Sequence, residues 1–118
     1  MVDLRKIEWV QQWRPDGAAP DVTIWIDVVK LDQSWQSDAA YYVAPGGGGG
    51  SKYERFGSWI SHATEPVRMP HVSVEAGGIY FTDGRHRFAW FRDRGLRRLP
   101  VTVEPDLAAE LDRLFGCT

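Results

Sequence analysis

Cysteine is almost missing from this chain of 118 residues. The one thiol, Cys117, stands beside the last residue, where it can build neither an internal disulfide nor a multi-cysteine metal site. That scarcity predicts a reducing, cytoplasmic setting. Long apolar runs are missing too. The opening residues 1–13 place charges in their first turns with no apolar core of signal-peptide length, and no later segment approaches a membrane span. The expectation is a soluble protein with no membrane insertion. Nor does one sign of charge dominate: 14 Lys and Arg stand against 16 Asp and Glu, for a formal net charge of -2. The average surface therefore has no general attraction for nucleic acid or lipid, and any such partner has to be met locally.

What is present is enough apolar material for one core, 43% of residues with six Trp, and the length suits a single domain over residues 1–118 with no room for a second. Residues 22–29 (VTIWIDVV) are rich in β-branched and aromatic side chains and predict a central strand. Asp32 reads as the N-cap of a short helix through Trp35 and Ser37. Residues 45–51 hold five consecutive glycines and predict a flexible loop. That loop is either a linker, natural or a replacement for a longer loop, or a flap whose bare N–H groups close over an anion. Ser51 and Glu54 have capping-box spacing, and Tyr53, Phe56 and Ile60 then share one helical face. Residues 71–75 and 79–82 predict a hairpin around Ala76-Gly77-Gly78. A helix from near Arg85 to Gly95, a strand over 99–103, and a last helix from Pro105 with Leu107, Leu111 and Leu114 on one face complete the order. Hairpin pairing combined with a strand-helix-strand crossover predicts an α/β fold of the mixed α+β kind: a small mixed sheet with packed helices.

The junction at 82–87 concentrates the chemistry. An acid, a glycine and then Arg85-His86-Arg87 stand where a strand gives way to a helix. The first helical N–H groups lack partners inside the helix, and the helix dipole adds positive charge at the same end. Two guanidinium forks suit phosphate oxygens, and Gly84 removes the Cβ that would bar close approach. His86 can serve as a donor when charged or a base when neutral. The bland account makes Asp83 an N-cap, Gly84 a turn residue and the arginines a solvated face. Arg92, Arg94, Arg97 and Arg98 are expected on the surface past the helix end, with a nucleic-acid track as the lesser alternative.

Residues 79–103, with their glycine and Arg-His-Arg turn opening a helix that closes at Gly95-Leu96 before Leu99-Pro100-Val101, resemble the ParB/sulfiredoxin superfamily. Within it, residues 53–56 ahead of a hairpin and residues 81–90 look most like the plasmid fertility inhibition factors. The resemblance implies binding of nucleotide or nucleic-acid phosphate at Gly84, Arg85, His86 and Arg87. It excludes sulfiredoxin chemistry, because Arg85 occupies the position of the reactive cysteine and no nucleophile remains. It also argues against full partition function, for which 118 residues are expected to leave no space.

These readings converge on a nuclease, with NTPase activity as an accompaniment, acting in fertility inhibition or control of DNA transfer between bacteria. Arg85, Arg87 and the helix N-terminus would stabilise charge on phosphate, and Asp83, His86 and Glu54 are the candidates for orienting water. DNA or a nucleotide such as ATP is the expected ligand, and Asp83 with Glu54 are the candidate holders of Mg²⁺ or Mn²⁺. The alternatives are a non-catalytic inhibitor that binds a nucleotide or a protein of a conjugation or secretion system, through aromatics such as Trp35, Tyr41, Tyr42 and Trp59, or a toxin-like nuclease effector.

Overall fold

The computed structural model describes residues 3–11, 20–47, 51–63 and 65–117, without the side chains of Arg5 and Ser51. Its best-specified element is the hairpin of β4 (His71–Glu75) and β5 (Gly78–Asp83), which pairs Val72 with Phe81, Ser73 with Tyr80 and Val74 with Ile79. Ala76 and Gly77 take φ of 52° and 79°, the double positive twist that joins two antiparallel strands through two residues. Alternation sends Val72, Val74 and Ile79 into the core.

Strand β6 (Arg98–Val103) lies parallel to β4, and β2 (Val22–Asp27) pairs antiparallel with β6, giving the order β2-β6-β4-β5. The sheet is therefore mixed, and the connection from β5 through α3 (Arg85–Asp93) to β6 carries the chain past β4. A second, two-stranded parallel sheet joins β1 (Trp9–Val10) to β3 (Val67–Arg68).

Two expectations for the first half are corrected. The run 22–29 is not a central strand: β2 ends at Asp27 and sits at the sheet's margin, where the Cys117 N–H donates to the Trp25 carbonyl at 3.1 Å. The helix after it, α1 (Val28–Trp35), starts four residues before Asp32. Its cap is Asp27, whose Oδ1 accepts the Lys30 N–H at 3.0 Å. Asp27 supplies this oxygen while its own backbone is still extended, so strand and helix abut without a loop.

Helix α2 (Ser51–His62) begins where the capping-box spacing put it, although the Ser51 side chain lies outside the described residues. Its apolar face, Tyr53, Phe56 and Ile60, turns inward. Phe56 meets Trp90 and Phe91 edge-on at 5.6 Å each, and Gly57 lets α2 close on α3, since a Cβ there would come within 2.7 Å of Trp90 Nε1. The last helix, α4 (Ala108–Phe115), follows a 3-10 turn at Pro105–Leu107 and buries Leu111 and Phe115. Trp35, fully buried at the end of α1, packs on Phe81 at 4.6 Å and Phe88 at 5.6 Å. Aromatic contacts from α1, α2 and β5 thus fix α3 before any charge is considered.

Candidate phosphate-binding cleft

Gly84 is the pivot of the site. It caps α3 with φ 82° and ψ 17°, a left-handed conformation that costs other L-residues strain, and no side chain caps the helix there. A Cβ on Gly84 would lie 2.9 Å from Pro70 Cα and 2.8 Å from Arg87 Nη2. Close packing and backbone geometry both demand glycine. The bland account of Asp83 as N-cap is corrected as well: the cap is Gly84, and Asp83 Oδ2 instead accepts from Arg87 Nη2 at 3.3 Å.

In front of this turn lies an open cleft of about 320 Å³. Asp83, Gly84, Arg85, His86 and Arg87 all line it, with Thr82 and Phe81 from β5 and Lys52 and Phe56 from α2. Glu54, exposed on α2, is not among the lining residues. Among the described residues no group of three or more His, Cys, Asp and Glu side chains is placed to hold a metal ion.

Arg87 combines a solvated ion pair with an unsatisfied donor. Its side chain is 22% exposed against 55% for its partner Asp83, so the pair is too solvated to hold the fold. Its buried Nε has no hydrogen-bond partner among the described residues. Buried donors in native proteins are nearly always paired, but Arg92 Nη2 and Trp35 Nε1 are left in the same state away from the cleft, so it is the convergence of Arg85, Arg87 and Lys52 on the cleft that suits an anion. Arg85 lies over the Tyr41 ring at 5.1 Å. Burial, and then the charges of Arg85 and Lys52, push the His86 pKa below its ordinary value, so at neutral pH the imidazole is neutral and able to accept a proton.

The other end of α3 is arranged differently. Arg92 is not the surface charge expected: its side chain is 9% exposed and it donates to Asp32 at 3.0 Å, to Asp93 at 2.9 Å and to the Val43 carbonyl at 2.6 Å. Asp93 also accepts from Tyr53 Oη at 2.7 Å and from the Gly46 N–H at 2.9 Å. Burial alone would raise the Asp93 carboxyl, but the hydrogen bonds from Arg92, Tyr53 and Gly46 hold it below the usual carboxylate range. In the glycine-rich segment, then, Gly46 spends its N–H on the protein's own anion, while residues 48–50 lie outside the described residues. Arg94, exposed, stacks over Trp90 at 4.3 Å, and Arg97 and Arg98 are on the surface as expected.

Of the aromatics considered for a binding face, Trp35 is core and Tyr42 packs half-buried against it at 4.8 Å, whereas Tyr41 and Trp59 are exposed. Of the lining residues that sequence reasoning did not assign to the site, Phe56, Phe81, Thr82 and Lys52, the charged one is Lys52. One signal could have found it: a cation in the first turn of a helix opposes the helix dipole, and such a placement asks for a reason.

No family model and no curated protein sequence matches the chain. Among solved structures, the gold(I) cyanide derivative of oncogenic suppression activity protein, a plasmid fertility inhibition factor, matches with a TM-score of 0.69 and 18% identity over 87% of this chain. The chain spans 61% of that protein's length. At this identity the likeness is one of architecture: the chain has the α/β fold seen in a plasmid fertility inhibition factor.

Proposed function

We propose that this chain is a nucleotide- and phosphate-binding domain of the ParB/sulfiredoxin type that hydrolyses DNA phosphodiesters, with nucleoside triphosphate hydrolysis as a related activity of the same cleft. Control of DNA transfer between bacteria is the proposed setting, carried over from the description of the structural neighbour as a fertility inhibition factor. The observation that carries the reading is the cleft in which Lys52, Arg85 and Arg87 meet at the start of α3, a helix end with no side-chain cap.

In this reading the phosphate lies against the first N–H groups of α3, with Arg85 and Arg87 bearing the charge that builds on its oxygens. Neutral His86 takes a proton from the attacking water. The new P–O bond forms as the bond to the leaving alkoxide breaks, that oxygen takes a proton from solvent water, and the imidazolium of His86 returns its proton to solvent. Of the two carboxylates expected to hold a divalent ion, Asp83 lines the cleft beside Arg87 and Glu54 does not line it, so the described residues do not fit a resident Mg²⁺ or Mn²⁺, and the charge on phosphate is left to Arg85, Arg87 and Lys52.

The test is cleavage of plasmid DNA by highly purified protein with Mg²⁺, Mn²⁺ or EDTA, beside Arg87→Ala and His86→Ala. Loss of a charge-stabilising donor should lower the rate by about 100-fold or more. Equal residual cleavage in all three proteins would mark a contaminant and leave a binding-only inhibitor as the function.

A further inference from the structure

The cleft does not stand alone. A cleft of about 160 Å³ beside Tyr41 and Tyr42 shares Arg85 and His86 with it, and another of about 300 Å³ beside Trp59 and Arg68 shares Phe56 and Arg87. The outer two thus adjoin the first through shared side chains, and the three are read as one groove with the start of α3 at its middle.

The groove has a charge pattern that the whole chain lacks. Lys52, Arg68, Arg85 and Arg87 line it against two carboxylates, Asp83 and Glu65, in a protein whose formal net charge is -2. Each outer cleft also carries an exposed aromatic ring. Tyr41 is 58% exposed and has the Arg85 guanidinium against it, and Trp59 is 39% exposed and leans on Phe56 at 5.7 Å. Cations in the middle and exposed aromatic rings at both ends suit a chain of alternating phosphates and bases, provided the bases are free to leave one another.

We infer that the groove binds single-stranded nucleic acid two or more nucleotides long, with Tyr41 and Trp59 as base-stacking platforms on either side of the phosphate held at α3. The inference rests on the phosphate reading of the cleft and adds to it the polymeric, unpaired state of the ligand.

The experiment follows fluorescently labelled oligothymidylates of one to six nucleotides by anisotropy, with pyrophosphate and a duplex of matched length as competitors. Affinity should rise steeply as the oligomer grows to span both rings. Tyr41→Ala and Trp59→Ala should each weaken the longer oligomers by about 5-fold to 100-fold, the worth of one base stack, and leave pyrophosphate affinity unchanged. Trp59→Leu keeps Phe56 covered while removing the flat ring, and should show the same loss if Trp59→Ala folds poorly. Oligomers that bind no better than the mononucleotide, ring variants that bind as wild type does, or a duplex that competes as well as the single strand would each overturn the inference. Failure of the phosphate reading looks different: pyrophosphate would then not bind, or would bind Arg87→Ala as tightly as wild type.

Discussion

The two ends of α3 each carry an arginine facing a carboxylate, and they do opposite work. Arg92, near the C-terminus, is buried and bonded to α1, to its own neighbour Asp93 and to the carbonyl of Val43. Arg87, in the first turn, has one half-exposed partner and a buried Nε without a partner among the described residues. Each keeps one buried donor without a partner among the described residues, Nη2 of Arg92 and Nε of Arg87. What separates them is the rest of their surroundings: bonds to two carboxylates and a carbonyl tie Arg92 into the protein, whereas Arg87 has a solvated carboxylate and lines a cleft. Residue type and helix are shared, so the difference comes from what surrounds each side chain.

The comparison is broken most severely at Arg92. Arg92→Ala strands Asp32 and Asp93 as partly buried carboxylates without their cation, and should lower unfolding free energy by about 3–5 kcal/mol, read by urea titration. A loss under about 1 kcal/mol would place Arg92 with ordinary surface pairs.

Gly84→Ala is expected to cost about 1–3 kcal/mol, because a non-glycine residue would hold φ of 82° while its Cβ presses on Pro70. Thermal melts that match wild type would show that the turn can relax, and the requirement for glycine would fall.

His86 gives a smaller, pH-dependent effect. Burial and the neighbouring cations Arg85 and Lys52 keep it deprotonated in the free protein, so its folded pKa lies below the unfolded value of 6.5. Its contribution to stability is present above that value and is lost as pH falls below it, since the unfolded chain then binds the proton more readily. A bound phosphodiester shifts the imidazole the other way by favouring the charged form, so oligothymidylate affinity should rise as pH falls from 8 toward 6, while the cleavage rate, which needs His86 neutral, should fall over the same range. His86→Gln should flatten that profile. Affinity that rises with pH would contradict the placement of His86 beside the phosphate.

Cys117→Ser is expected to do least, with a stability change within about 0.5 kcal/mol and unchanged ligand binding. The thiol lies past α4, and the contact made there with β2 belongs to the Cys117 backbone.

Local signals made α3 and the hairpin legible. Gly84 and Gly95 bracket the helix, both at φ 82°, and the alternation over 71–75 with Ala76-Gly77 specifies the return strand. The same locality misled at 22–29, where β-branched residues favour a strand to the end, yet the Asp27 side chain caps a helix at Val28. Arg92 was misjudged because its partners Asp32 and Val43 are distant in sequence, and no periodicity in residues 85–93 announces them. The cleft was half legible: residues 83–87 are consecutive, whereas Lys52 and Tyr41 arrive only through the packing of α2 and of the segment after α1.

The most direct test of the central claim is an amide and arginine side-chain NMR titration with pyrophosphate. The account predicts that the largest shifts fall on the backbone N–H groups of Arg85, His86 and Arg87 and on Arg87 Nε–H, and that they vanish in Arg87→Ala while its melting temperature stays near that of wild type. Shifts clustered at Arg92, Arg94, Arg97 and Arg98 instead, or a shift pattern unchanged by Arg87→Ala, would contradict it.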